Sequence, residues 1–172
     1  QKDKKHDCLE DVPMNTAIIA DSVHSKALPN LVAKLLTARQ ESLVLYHKLV
    51  AMKPFTLVDP ARHRLRRFQQ ALVDYLALGP FEVYQALEEQ PADSPYRQAR
   101  ELARQLYTRI ACTTQAALAF HDRYDGDLSE PALAHLDQAL SQLGESLATR
   151  IELEDRILAA VNHSQTQSRI AA

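Results

Sequence analysis

The sequence predicts an all-α protein: an up-down antiparallel four-helix bundle with a short extra helix at its N-terminal end. The 172 residues include only 3 glycines and are rich in leucine, alanine, glutamine, glutamate and arginine, which all favour helix. Long stretches repeat apolar residues at alternating three- and four-residue steps, the spacing of one helical face. Short turn and capping signals separate these stretches, and short loops make successive helices antiparallel neighbours.

The first half of the chain contains the short helix and two long ones. We expect residues 14–28 to form the short helix, which ends at Pro29 because proline disrupts a helix interior. The first long helix then extends to about Met52. Asp59-Pro60 combines a helix N-cap with proline in the first turn. It predicts the start of a helix that extends to about Glu89.

The second half of the chain contains two further helices with continuous apolar stripes. Residues 91–95 form a turn, and the third long helix follows it to about Tyr124. Residues 129–131, Ser-Glu-Pro, begin the last helix, which we expect to end near Asn162. Its leucines alternate at three- and four-residue steps, the pattern of a bundle seam.

Composition is ordinary for a soluble protein, with 46% hydrophobic residues, 24% charged residues and a formal charge of −2. No segment approaches the roughly 18 consecutive apolar residues of a membrane span. The two cysteines lack metal-ligand spacing, which favours reduced thiols in a cytoplasmic protein. We assign residues 1–13 to a disordered, processed leader, 14–163 to a single helical-bundle domain and 164–172 to a flexible tail.

Gly79-Pro80 interrupts a strongly helical stretch, and we expect a kink there that exposes a functional surface. Proline removes a main-chain hydrogen bond and clashes with the preceding turn, which costs about 3 kcal/mol. The helical pattern nevertheless resumes at Phe81. Asp74, Ala77 and Phe81 lie at i, i+3 and i+7, so they share one face if the helix continues through the kink. This face, with the neighbouring Leu78, is the candidate partner-binding surface.

Two charged residues, Arg39 and Glu154, fall on stripes that are otherwise apolar. An unpaired charge inside a bundle is expensive. We therefore expect a buried polar pair between these two residues, or a pair with Arg150. Such a pair is either the polar floor of a ligand or partner cavity, or a structural ion pair from which Arg39 reaches the bundle edge. We favour the structural interpretation.

The chain shows no motif for catalysis, metal binding or cofactor binding, and we expect a non-enzymatic protein without a cofactor. The histidines are scattered, and none has a carboxylate at the spacing that metal-binding bundles use. There is no nucleophile elbow, phosphate loop or Cys/His motif. A ligand- or metal-binding bundle centred on Arg39 and Glu154 is the alternative from a different functional class.

Three separated motifs resemble the Rsd/AlgQ family of bacterial anti-sigma factors. Residues 72–76 read Leu-Val-Asp-Tyr-Leu, and residues 79–84 continue as Gly-x-Phe-x-x-Tyr. Residues 31–54 resemble the first bundle helix of the family. Residues 144–155, which begin Gly-Glu-Ser-Leu, resemble its closing helix. The resemblance covers about residues 28–162, with the motifs in the order of the family.

The resemblance implies a protein that binds region 4 of the primary, sigma-70-type sigma factor. Binding there would block recognition of the promoter −35 element and docking on core RNA polymerase, with no direct nucleic-acid or membrane contact. It also implies partner-binding roles for Asp74, Ala77 and Phe81, and a monomer or weak dimer when free. The sequence departs from the family pattern at Pro80 and Gln85. A diverged relative that binds a metabolic or stringent-response protein is therefore the alternative.

Overall fold

The computed structural model describes the backbone of residues 16–172 and the side chains from residue 27 onward. The predicted leader, residues 1–13, lies outside these described residues. Across the described chain the structure confirms the all-α prediction, since it consists of helices and loops without a strand. No helix in the same part of the chain is both long and apolar enough to cross a lipid bilayer.

Four long helices and one short helix form the bundle. The chain begins with α1 and α2, continues through a π-helical turn into the short helix α3, and ends with α4 and α5. The bounds are Thr16–Val50 for α1, Val58–Leu78 for α2, Gly79–Val83 for the π-helical turn, Tyr84–Glu88 for α3, Arg97–Tyr124 for α4 and Glu130–Ala171 for α5.

Contacts between the helices show that neighbours lie antiparallel. As one helix is followed toward its C-terminus, its contacts on the neighbouring helix fall at progressively lower residue numbers. This is the up-down order predicted for helices joined by short loops. Between α1 and the segment formed by α2 and the π-helical turn, the contacts are Lys34–Glu82 and Ser42–Ala71. Between α1 and α5 they are Arg39–Asp155 and Tyr46–Leu140. Between α4 and the segment formed by α2 and α3 they are Glu88–Arg104 and Gln69–His121.

One continuous core fills the space between the long helices. Leu72, Leu136 and Leu140 are fully buried in it, and each such leucine stabilises the fold by about 1.5–3 kcal/mol. Close helix approach is visible at Gly144, where any side chain would meet the ring of Tyr46. That tyrosine donates its hydroxyl hydrogen to the Leu140 carbonyl at 2.8 Å, so the small residue permits a hydrogen bond between α1 and α5.

The structure corrects the prediction of a separate N-terminal helix. Helix α1 is continuous from Thr16 and contains Pro29 within it. Pro29 itself is exposed, while Leu28 and Val32 on either side are buried in the core. Burial of these two side chains stabilises the helix by an amount comparable with the roughly 3 kcal/mol cost of the proline. Tertiary packing therefore carries the helix through a residue that usually ends one.

Helix α5 also extends further than predicted, to Ala171 instead of ending near Asn162. Ser164 is buried, and its hydroxyl donates to the carbonyl of Ala160 at 2.9 Å. Thr166 and Ser168 donate in the same way to carbonyls four residues earlier. The polar composition that predicted a tail is compatible with helix because these hydroxyls find acceptors within it. The flexibility of residues 164–172 stays a prediction.

Candidate functional site

The predicted interruption at Gly79-Pro80 takes the form of a π-helical turn between α2 and α3. The N–H of Tyr84 donates to the carbonyl of Gly79, five residues back, instead of the four of an α-helix. A π-helical turn is wider than an α-helical one, and Pro80, which has no N–H to donate, is accommodated within it. Such turns inside helices are frequent at functional sites.

At Gly79, the first residue of this turn, a larger residue would crowd its neighbours. A Cβ atom there would lie 3.2 Å from Cε2 of Tyr84 and 3.3 Å from Nη2 of Arg150. Both distances are tighter than ordinary van der Waals contact. The backbone at Gly79 therefore packs directly against an aromatic ring on one side and a buried guanidinium on the other.

The predicted binding residues divide between surface and core. Asp74 is exposed, and its Oδ1 accepts a hydrogen bond of 3.2 Å from Nε2 of Gln70. Phe81 is 72% exposed, and Ala77 is half-buried beside it. Leu78 is 9% exposed and belongs to the core, so its side chain does not contribute to the exposed face.

An apolar groove of about 370 Å³ lies between this face and helix α4. The α4 side carries two exposed apolar side chains, Tyr107 at 57% and Leu118 at 37%. Exposed apolar surface of this extent commonly marks an interaction site. We call it the α2–α4 groove and define it by Val73, Ala77 and Phe81 on one wall and Tyr107, Ala111 and Leu118 on the other.

A buried ion pair lies beneath the groove. Nε of Arg150 is 3.1 Å from Oε1 of Glu154, and both side chains are fully buried. The Tyr75 hydroxyl donates to the same carboxylate oxygen. The Arg150 guanidinium also lies over the Tyr75 ring, with Cζ 5.3 Å from the ring centroid, a cation–π geometry. Two residues of α5 and one of α2 thus form a single polar cluster inside the bundle.

Arg150 also binds helix α4. Its Nη1 donates to Oγ1 of Thr114 at 2.7 Å and to Oγ1 of Thr113 at 3.3 Å. Thr114 lines the α2–α4 groove, and so does Tyr84. The buried cluster is therefore directly behind side chains that form the groove.

Arg39 and Glu154 do not form the direct pair that was predicted. Nη1 of Arg39 donates to Oδ1 of Asp155 at 2.7 Å, on the outer side of the bundle. Glu154 pairs with Arg150, the other partner that the sequence had allowed. Helical spacing identifies which residues point inward, but it does not show which of two candidate cations pairs with a given carboxylate.

Electrostatics in the cluster are dominated by burial. Burial raises the pKa of Glu154, although the Arg150 charge and the hydrogen bond from Tyr75 act in the opposite direction. Burial and the nearby Glu154 carboxylate raise the pKa values of Tyr75 and Tyr84 above their usual range. Both phenols therefore stay protonated at neutral pH and act as hydroxyl groups.

The His, Cys, Asp and Glu side chains of the described residues do not cluster into a metal site. Among the side chains described from residue 27 onward, no group of three or more His, Cys, Asp or Glu is placed to hold a metal ion.

The α4 wall of the groove was not predicted from the sequence. The residue that could have indicated it is Tyr107, an aromatic residue that lies one position off the buried stripe of Leu106 and Ile110.

An exposed apolar groove on a helical bundle, with an exposed carboxylate beside it, is a surface of the kind found at protein–protein interfaces. The chain belongs to the Rsd/AlgQ family, because residues 22–162 match the family described as "Regulator of RNA polymerase sigma(70) subunit, Rsd/AlgQ". This match confirms the resemblance noted in the sequence motifs.

Individual relatives agree with the family assignment. The chain is 34% identical over 137 residues to a protein named "Regulator of sigma D" from Yersinia enterocolitica, covering 74% of this chain and 78% of the relative. It is 31% identical over 150 residues to one from Yersinia pseudotuberculosis, with coverages of 82% and 85%. An Enterobacter protein of the same name is 33% identical over 133 residues, with coverages of 75% and 78%.

Replacing Glu154 by glutamine is expected to change how stability depends on pH. The folded-state pKa is raised above the ordinary value of 4.5, so the folded protein holds this proton more tightly than the unfolded chain. The resulting stabilisation is complete below the unfolded pKa and is lost as pH rises through the folded pKa. The free energy of unfolding is measured with urea at pH values from below the unfolded pKa of Glu154 upward. The difference between wild type and Glu154→Gln (wild type minus variant) should fall as pH rises.

Glu88→Gln is the matched control for this measurement. Glu88 is on the surface, and the hydrogen bond from Arg104 lowers its pKa, so its stabilisation is present at higher pH and is lost on acidification. The corresponding difference should therefore rise or stay level as pH increases. A difference for Glu154→Gln that also rises with pH would contradict the dominance of burial at this carboxyl group.

Proposed function

We propose that this protein is an anti-sigma factor that binds region 4 of the primary, sigma-70-type sigma factor and regulates transcription by sequestering it. Membership of a family described as regulators of the RNA polymerase sigma(70) subunit supports the proposal. So do relatives named "Regulator of sigma D". The structural observation that carries it is Phe81, a large aromatic side chain left 72% exposed at the edge of an apolar groove.

Phe81 and the α2–α4 groove supply the apolar part of the proposed interface. Burying an exposed phenylalanine contributes about 1.5–3 kcal/mol, and aromatic residues that become desolvated at the centre of an interface often dominate binding. Tyr107 and Leu118 on the opposite wall would contact the same partner segment. A partner helix that places apolar side chains between the two walls fits this geometry, a common mode of recognition.

Asp74 supplies the charged part. It lies beside Val73 and one helical turn before Ala77, so it flanks the groove. The side chain that donates to it, Gln70, is neutral, and the aspartate charge is therefore free to pair with a partner cation. A protein region that binds promoter DNA carries arginine and lysine for phosphate contacts. An arginine of region 4 bound to Asp74 would make a charge-assisted hydrogen bond, stronger than a neutral one.

Sequestration follows from competition for one surface. If region 4 uses the same basic and apolar side chains for this protein as for the promoter −35 element and core polymerase, only one of these contacts can form at a time. In this proposal the protein acts in the bacterial cytoplasm by binding the sigma factor, without catalysis and without contacting DNA itself. Core polymerase released in this way becomes available to alternative sigma factors. We propose a monomer or weak dimer in the free state.

Reversing the charge at Asp74 is expected to abolish binding. Asp74→Arg would place a cation opposite the partner cation, and like charges at such a contact cost several kcal/mol. Co-purification with sigma region 4 should be lost while the helical circular dichroism stays unchanged, because Asp74 is exposed. Asp125→Arg, an exposed aspartate at the end of α4, should bind normally. Intact binding by Asp74→Arg would sink the proposed surface.

Truncating Phe81 tests the apolar anchor. Phe81→Ala should weaken region 4 binding by about 2 kcal/mol or more in calorimetric titrations if the ring becomes buried at the interface. Leu57→Ala is the control, since Leu57 is 66% exposed and precedes α2 at the opposite end of that helix. Equal affinities for both variants would show that partner binding does not involve the π-helical turn.

A pull-down from bacterial lysate separates the proposal from its alternative. Wild type should retain the primary sigma factor, and Asp74→Arg should not. Retention of a metabolic or stringent-response protein by wild type, without the sigma factor, would contradict the proposed partner and support the alternative.

A further inference from the structure

Arg150 is among the largest fully buried side chains of the described chain, and its guanidinium lies behind the α2–α4 groove, against residues of both helices. On the α4 side, Nη1 donates to Thr114 at 2.7 Å. On the other side, Nη2 lies 3.3 Å from the position that a Cβ atom of Gly79 would occupy. Gly79 is the first residue of the π-helical turn that carries Phe81.

Further contacts hold the guanidinium itself in place. Nε faces the Glu154 carboxylate at 3.1 Å, one turn further along α5. The guanidinium lies over the Tyr75 ring, with Cζ 5.3 Å from the centroid, and the Tyr75 hydroxyl donates to Glu154. One rigid, planar group thus contacts α2 and α4 and lies close to the π-helical turn, while it is anchored on α5.

Directional contacts of this kind determine geometry in a way that the leucine core does not. Apolar burial is non-directional, so neighbouring helices can shift slightly against each other at little cost. A hydrogen bond weakens steeply when its distance or angle changes. A buried charge that loses a partner pays a large desolvation penalty. A displacement of α4 relative to α2 therefore disturbs either the hydrogen bond to Thr114 or the contact with the Tyr75 ring.

We propose that Arg150 is a positioning residue that sets the separation and register of the two groove walls, and so the shape offered to the partner. Its role in partner binding rests on the function proposed above, whereas its role in groove geometry does not. Lysine cannot replace it, because an ammonium group on a flexible stem could still neutralise Glu154 but lacks the planar group that binds Thr114 while it lies over the Tyr75 ring.

The test compares Arg150→Lys with Leu136→Ala. Leu136 is fully buried on α5 but lies 14 residues before Arg150, about 21 Å along the helix. Both variants remove core packing, and only one alters the cluster behind the groove. Methyl NMR spectra of each full chain are recorded without partner at a temperature where circular dichroism shows both variants folded.

Arg150→Lys should shift the methyl signals of Ala77, Ala111 and Leu118, whereas Leu136→Ala should leave them in place. Unchanged groove signals in Arg150→Lys would overturn the proposal, whatever the partner is. If that variant does not fold, Thr114→Val and Thr114→Ser take its place. Valine removes the hydroxyl that binds Arg150 and serine keeps it, so only valine should displace Ala77 on the opposite wall. Equal effects of the two would overturn the proposal.

Titration with sigma region 4 then tests the consequence for binding. Arg150→Lys should bind at least about tenfold more weakly than wild type, since a loosely held site loses affinity, and Leu136→Ala should bind within about twofold of it. Equal affinity for Arg150→Lys would overturn the role in binding. If wild type does not bind region 4 at all, while the methyl signals shift as expected, the proposed partner is wrong and the positioning role of Arg150 stands.

Discussion

The ion pair between Arg150 and Glu154 is the interaction on which the arrangement of the bundle depends. Taking two charges out of water costs several kcal/mol per ion, and the pair is tolerated only with good geometry and further hydrogen bonds. Here Tyr75 binds the carboxylate, and Thr113 and Thr114 bind the guanidinium. Because those residues lie on α2 and α4 while the pair lies on α5, the cluster links three of the four long helices. Leucine packing supplies most of the stability, and we propose that the ion pair favours one arrangement of the helices.

The surface follows from this interior through Gly79. Its missing side chain lets the backbone approach both Tyr84 and Arg150, and the chain then makes a π-helical turn around Pro80. That turn continues the helical path while it projects Phe81 into solvent beside the α2–α4 groove. An aromatic side chain exposed to solvent is unfavourable in the free protein. It becomes favourable once a partner covers it, which is the physical basis of the proposed sequestration.

Much of the fold could be predicted from the sequence, because apolar spacing and capping residues are local signals. Ser129 caps α5 as expected, accepting a hydrogen bond from the N–H of Ala132. The predicted N-cap at Asp59 was wrong, since α2 already begins at Val58 and Asp59 lies within its first turn. The predicted helix end at Pro29 was wrong, since burial of Leu28 and Val32 outweighs the tendency of proline to end a helix. The partner of Arg39 and the α4 wall with Tyr107 could not be predicted, because both depend on which helices become neighbours and in what register. At the site, Asp74 and Phe81 are exposed and their partner-binding role stays a prediction, whereas Leu78, one residue further round the helix than Ala77, is buried.

Hydrogen–deuterium exchange of the full chain, with and without sigma region 4, tests the central claim most directly. Exchange reports protection peptide by peptide, and it requires no substitution that alters the fold. The account predicts new protection in two segments that are distant in sequence but face each other in the structure, residues 73–85 and residues 107–118. Segments on the far side of the bundle, such as the loop between α1 and α2, should be unchanged. Protection confined to other segments, with neither groove wall affected, would contradict the account.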